Sequence, residues 1–427
     1  MMRKTNPGVI RAALRHSNYS RYIFGNGLSL IGTWMQRIAV GWLTWELTHS
    51  PAWLGIMAMA DFAPVFLLGP LGGALADRYS RIMVMVWAQV AAALSALLLF
   101  ALSASGILNV WHLAIFTFFT GCAVGINQPA RLSLAPSLVP PELLTTAISL
   151  NAMIFNGARF VGPMISTVVI TLWSIHGSFL INACSYAALI IALLSLKIPR
   201  RKRPETDGPQ PSLLDDIREG IRFIQGHASI RLVIFIMATA AFCLRSVVEL
   251  LPGLTSDVFG KGADEFAVLT AAFGIGAIGA GIWMARRGGM DDQPIIALWG
   301  VLGTAVFGIT LVATTEYMVA LPVALSIGFT TVVAGIGMQT TLHFVTPSAM
   351  RGRVMSLYGI IHIGGAGVGA FVLGLIAEHT GLRPPIATAA VIGMVIWYTV
   401  WRQRNVIVKS LQTTTTPSKK NQQLEFV

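Results

Sequence analysis

Charge is what this sequence has least of. Only 11% of its 427 residues are Asp, Glu, Lys or Arg, where soluble globular domains carry about 25%. With 55% hydrophobic residues besides, the chain has too few charges to clothe a water-soluble domain, which excludes a soluble enzyme or binding module. Cysteine is scarcer still. Cys122, Cys184 and Cys243 are the three present, each alone in an apolar stretch and without metal-ligand spacing, so neither a zinc site nor a disulfide framework is expected. No cluster of His, Cys and carboxylates and no nucleophile motif marks a catalytic centre, so the sequence predicts no enzyme and no cofactor.

What remains is an apolar, glycine-rich chain. Mean hydropathy is +0.70, and 42 glycines suit close helix–helix contact in a bilayer. Twelve apolar segments approach the roughly 20 residues a spanning helix needs. They run over 22–47, 53–76, 82–104, 111–135, 145–171, 178–196, 231–253, 264–285, 294–313, 317–341, 353–377 and 384–401. The fifth carries Arg159 and Pro163 and the seventh Arg245 and Glu249, which makes these two the least regular. The apolar run from Tyr22 to Trp45 exceeds a signal peptide's, and no small-residue cleavage site follows, so a retained first helix is expected.

The net charge of +12 is not a nucleic-acid footprint, because it alternates along the chain. Arg3, Lys4, Arg11, Arg15 and Arg21 precede the first span. Arg78 and Arg81, Arg131, the run KIPRRKR (197–203), Arg286 and Arg287, Arg351 and Arg353, and Arg402 and Arg404 follow at every second end. The other ends hold little beyond Lys261 and Arg383. That bias places both termini in the cytoplasm. No nucleic-acid partner is expected; the bilayer, protons and a small-molecule substrate are.

The chain also repeats itself. Setting Pro140 on Pro347 aligns Ser149 with Ser356, Gly157 with Gly364 and Gly162 with Gly369, an offset near half the chain. The fifth and eleventh helices are then equivalents in two six-helix halves, as in transporters built from repeats. The expected organisation is a first half over 1–196, a cytoplasmic linker over 197–230, a second half over 231–404 and a disordered tail over 405–427. Within the linker, Ser212 and Asp215 form a capping box, and Leu214, Ile217, Ile221 and Ile224 recur at helical spacing, predicting an amphipathic interfacial helix.

Between the second and third spans lies GGALADRYSRI. Gly73, Asp77, Arg78 and Arg81 resemble the signature loop of the major facilitator superfamily, with Ser80 and Ile82 departing from it. Gly162-Pro163 in the fifth span resembles the Gly-Pro pair of that superfamily's exporters, although Ala158, Ser166 and Thr167 stand where further glycines are usual. GWLTWELTHSPAWLG and SAMRGRVMSLY are similar to the branch containing enterobactin exporters. The resemblance implies an all-α membrane protein of twelve helices with the major facilitator fold, and it makes Gly73, Asp77, Arg78, Arg81, Gly162 and Pro163 gating residues. The membrane-embedded arginine usual in the fourth helix is missing; Arg131 lies near that helix's cytoplasmic end.

Three arginines fall near mid-membrane: Arg37, Arg159 and Arg245. Each would cost about 2.5–3.5 kcal/mol facing lipid, so each is expected to face a wet or polar cavity. Asn26, Ser29, Thr33, Arg37 and Thr44 share one face of the first helix, and Thr145, Ser149, Asn156, Arg159 and Ser166 one face of the fifth. Two readings stand. In one, Arg37, Arg159 and Arg245 line the substrate path with Asn156, Trp34 and Gln36. In the other, they pair with Asp61 and Glu249 to hold helices together. Asp61 and Glu249 are also the candidate proton carriers, each able to titrate as its surroundings change; His343 and His362 read as packing residues. Trp42, Trp45, Trp53, Trp111 and Trp173 form an expected interfacial belt.

These features predict a monomeric, proton-coupled exporter of a bacterial cytoplasmic membrane that carries an amphipathic, anionic, siderophore-like molecule by alternating access. A broad drug exporter is the alternative in the same class. A membrane sensor is disfavoured because neither linker nor tail is large enough for a signalling domain.

Overall fold

The computed structural model describes residues 7–197, 213–287 and 292–415, and every element among them is helical. In chain order these are α1 (Pro7–Arg15), α2 (Ser17–Thr48), α3 (Pro51–Arg78), α4 (Arg81–Ala104), α5 (Val110–Ser137), α6 (Leu144–Leu172) and α7 (Gly177–Leu194). They continue as α8 (Leu213–Gly226), α9 (Ala228–Thr239), α10 (Leu251–Gly253), α11 (Ala263–Arg287), α12 (Gln293–Ala313), α13 (Tyr317–Val345), α14 (Ser348–Thr380), α15 (Arg383–Arg402) and α16 (Arg404–Thr415). Counting Ala228–Val258 as one segment, eleven described helices are long and apolar enough to cross a membrane. The expected first span, α2, is long enough at 32 residues but is not among them; Asn26, Gln36, Arg37 and Glu46 make it too polar.

Turn chemistry sets the boundaries. His49 closes α2 in the left-handed region, at φ 48°. Ser50 then caps α3, its Oγ accepting from the Trp53 N–H at 3.3 Å, with Pro51 fixing the first helical φ. Gly106 and Gly381 have positive φ between α4 and α5 and between α14 and α15, conformations that favour glycine.

The chain divides into two compact units. One holds residues 1–207 with Leu251–Gly274; the other holds Gly208–Leu250 with residues 275–427. In the first, α2 packs on α6 and α7, α3 on α5, and α4 on α5 and α7. Backbones meet at glycines: a Cβ on Gly72 would stand 2.6 Å from the Ile126 carbonyl oxygen, and one on Gly121 2.8 Å from that of Asp61. Pro252 and Phe266 of this unit lie against Gly41, and Trp42 stacks on Phe266 at 5.9 Å.

In the second unit α12 packs on α13 and α15, and α14 on α15 and α8. The amphipathic helix predicted in the linker is α8. Its Ile224 is buried, and Glu219 pairs with Arg353 of α14 at 3.1 Å. The Ser212 cap lies outside the described residues.

The expected seventh span falls within Ala228–Val258 and is irregular, as its charges suggest: α9 passes into a π-helical turn at Ala240–Leu244, a 3₁₀ stretch at Arg245–Leu250, the single turn α10 and a second π-turn at Leu254–Val258. Two expectations are corrected. The tail expected to be disordered from residue 405 is helical to Thr415, because Ile407 and Leu411 bury themselves and α16 packs on α9 and α13. Trp45 is no belt residue; it is buried at 1% exposure, whereas Trp111 and Trp173 are open.

Candidate functional site

The first unit gathers Arg37, Trp34, Asp61 and Arg159. Arg37 Nη2 lies 3.4 Å from Asp61 Oδ2 across α2 and α3. Its guanidinium stands 5.1 Å from the Trp34 ring centre and 4.5 Å from that of Phe62. Arg159 approaches the same indole from α6, at 5.3 Å. One tryptophan thus meets two cations, a contact each guanidinium favours through the ring's negative face.

Gly162 makes this possible. A Cβ there would stand 2.6 Å from Trp34 Cβ and 3.0 Å from the Ile31 carbonyl oxygen, so α6 reaches α2 only because position 162 has no side chain. Pro163 beside it has no N–H to give the Arg159 carbonyl, which removes one helix bond at the arginine's own turn. The second unit repeats the contact: a Cβ on Gly369 would strike the carbonyl of Phe242 in the π-turn, and one on Gly365 would stand 3.0 Å from Ala241 Cβ. Gly162 and Gly369 are the pair aligned by the internal repeat.

Arg245 belongs to the second unit, at the junction of π-turn and 3₁₀ stretch. Its Nη1 lies 2.7 Å from His362 Nε2 and donates to the His362 carbonyl oxygen at 3.0 Å. The His362 ring stacks on Tyr358, with centres 5.4 Å apart. An arginine is always protonated and only donates, so His362 Nε2 accepts and the ring proton sits on Nδ1. π-turns concentrate at functional sites, and no periodicity in the sequence announces one. Glu249 lies one turn on from Arg245 in the same stretch.

Other predicted residues sit elsewhere. Gln36 accepts from Asn182 Nδ2 at 2.7 Å in the buried contact of α2 with α7. The polar face of α2 does not line open space as expected. Asn26 donates to Asn151 and Ser29 to Gln89, both at 3.4 Å, Thr33 Oγ1 lies 3.2 Å from the Tyr186 hydroxyl, and Thr44 bonds the Val40 carbonyl. A polar face on a membrane helix has to meet either a cavity or other helices' polar groups, and here most of it meets helices. Asn156 lies in α6 and Asp77 in the last turn of α3, but their side chains are outside the description.

The signature motif is not a loop as expected: α3 continues through Arg78, and only Tyr79 and Ser80 separate it from α4. Arg78 and Arg81 are exposed. A Cβ on Gly73 would meet nothing within 4 Å, while the tight contact with α5 belongs to Gly72. Arg131, one of the charges in the alternating pattern, is buried at 8% exposure. Its Nη2 donates to Gln128 Oε1 at 2.7 Å, and its guanidinium faces the Phe155 ring.

The chain as a whole has relatives among known proteins. A profile of the transmembrane secretion effectors, a major facilitator family, matches residues 10–426. The chain belongs to that family. It is 24% identical over 398 residues to the enterobactin exporter EntS of Escherichia coli O1:K1, covering 91% of this chain and 89% of that one. It is 25% identical over 261 residues to the staphyloferrin A transporter of Staphylococcus aureus, covering 61% of this chain and 65% of that one. The match to the MFS-type transporter YfiS of Bacillus subtilis, 27% identical over 202 residues, spans 46% of this chain and about half of that protein, 47%. Among solved structures, a bacterial homologue of the human lysosomal transporter Spinster superposes with a TM-score of 0.71 at 12% identity, over 97% of this chain and 100% of that one. The relatives named here are transporters by name, and eleven described helices of this family member are long and apolar enough to cross a membrane.

Proposed function

We propose that this family member exports an amphipathic, anionic small molecule of siderophore type from a bacterial cytoplasm, exchanging it for protons. The observation that carries the reading is the Arg37–Trp34–Arg159 group. Two guanidinium groups lie close to one indole, and Asp61 stands beside the first of them. Guanidinium forks grip carboxylates and catecholates in two-point fashion, and an indole face takes an aromatic or apolar body. A molecule carrying both features fits that combination. The names of the S. aureus and E. coli relatives point the same way.

Asp61, paired with Arg37, is the proposed proton carrier of the first unit. Taking up a proton there releases Arg37, so proton and anion would bind in turn rather than together, as exchange requires. Arg245 and Glu249 are the proposed counterparts in the second unit, with Gly73, Asp77, Arg78 and Arg81 closing the cytoplasmic side. We further propose α2 as the twelfth span, two six-helix halves with both termini cytoplasmic, and a monomer as the working form.

Proteoliposomes test this directly, with enterobactin as the anionic probe and ethidium as a cationic comparator. Uphill enterobactin movement that collapses when the pH gradient is removed supports the proposal. Preference for ethidium would favour the drug-exporter reading, and enterobactin movement indifferent to the gradient would remove the coupling.

A further inference from the structure

In the second unit a cavity of about 430 Å³ lies among α11, α12 and α13, away from Arg245 and His362. Trp283, Ile295, Ile296, Trp299, Phe329 and Val333 make its apolar walls. Arg287 stands at its rim, 5.3 Å from the Trp283 ring and 3.5 Å from Asp292. Trp299 on another wall meets Trp401 edge-on at 5.1 Å, and Trp401 carries Arg404 at 4.6 Å. An aromatic-walled slot therefore has Arg287 in its lining and Arg404 one tryptophan beyond it. It lies at the end of the unit where α11 gives way to α12 and α15 to α16.

We propose that this slot seats one anionic phospholipid, an acyl chain between Trp283 and Trp299 and the phosphate between Arg287 and Arg404. The surroundings are those of lipid rather than of a protein partner: Ile282, Trp299, Val395 and Tyr398 are all open on neighbouring helices, at the level where tryptophan and arginine mark a membrane–water interface. Arginine at such a rim selects anionic over zwitterionic headgroups. The Arg287–Asp292 pair does not cancel the site. Both side chains are exposed, and an exposed pair is weak, so it holds the guanidinium at the rim while a phosphate takes its other donors. With the orientation proposed above, the lipid comes from the cytoplasmic leaflet; the site itself depends on neither orientation nor substrate.

Native mass spectrometry of the detergent-purified protein, offered equal phosphatidylglycerol and phosphatidylethanolamine, tests the proposal. Wild type should retain phosphatidylglycerol preferentially, each arginine contributing roughly fivefold. Arg287→Gln with Arg404→Gln should equalise the two lipids, and Trp299→Ala should weaken retention of both. These side chains are outside the core, so unchanged thermal unfolding would show that the variants remain folded. Equal retention by wild type, or an undiminished preference in the double variant, would overturn the proposal. So would displacement of the lipid by millimolar inorganic phosphate, which would make the rim a site for free anions.

Discussion

Arg37 Nη2 stands 3.4 Å from Asp61 Oδ2, with the two side chains 24% and 30% exposed. A pair at that depth is neither fully dry nor openly solvated, so one carboxylate serves two readings, a tie between α2 and α3 or a group whose proton is exchanged. Asp61→Asn separates them. As a proton carrier, Asp61 is needed for uphill transport, so the variant should lose gradient-driven accumulation yet still exchange substrate at equal pH. As a tie alone, it should lose about 1 kcal/mol of stability and transport in proportion to the protein remaining. Proteoliposome flux with thermal unfolding of the same preparation decides between them; sustained uphill accumulation removes Asp61 from the mechanism.

The glycines of α6 give a paired test of geometry. A Cβ on Gly162 would meet the α2 backbone and Trp34, whereas one on Gly157 would meet nothing within 4 Å. Gly162→Ala should therefore cost about 1–3 kcal/mol, as overpacking does, and should displace Trp34 from Arg159. Gly157→Ala should be neutral within about 0.5 kcal/mol. Equal melting temperatures for the two variants would refute the close approach of α6 to α2.

That contrast also shows what the sequence could tell. Apolar length alone marked nearly every long helix, since a bilayer leaves few alternatives to helices for such segments. The internal repeat aligned Gly162 with Gly369, and each meets another helix closely, Gly162 at Ile31 and Trp34 of α2 and Gly369 at Phe242 of the π-turn. Periodicity, however, reports which residues share a face and not what that face meets. It placed Asn26, Ser29 and Arg37 together but could not separate an interhelical seam from a cavity. Nor does it register the π-turn at Ala240–Leu244, against which α14 packs at Ala241 and Phe242. Arg131 makes the same point: its place near a helix end is legible in the sequence, but only packing reveals its burial.

His362 holds Arg245 by two acceptors, ring Nε2 and backbone carbonyl. His362→Phe removes the first and keeps the second, and the repeat places a phenylalanine, Phe155, at the matching position of the first half. The variant should fold normally. Transport should fall about tenfold, for the loss of one charge-assisted bond of roughly 1.5 kcal/mol, and Arg245→Met should lower it further. Initial flux normalised to folded protein is the measurement. Wild-type flux in both variants would show that the π-turn arginine serves only the fold.

Arg159 is the sharpest case, because it shares Trp34 with Arg37 yet comes from another helix. If it grips an anionic substrate, Arg159→Lys keeps the charge and loses the planar fork, so affinity for enterobactin should weaken by about 1–3 kcal/mol. Arg159→Met should weaken it more while leaving thermal stability nearly unchanged, since a costly intramembrane cation has been removed. If instead the arginine is there to hold α6 and α2 together, the order reverses. The methionine variant then melts lower, and its folded fraction binds enterobactin as wild type does. Binding and unfolding measured on the same detergent-purified samples tell these apart. A destabilised methionine variant with intact affinity would end the case for Arg159 as a substrate ligand, leaving Gly162 and Pro163 to explain why the chain approaches Trp34 so closely.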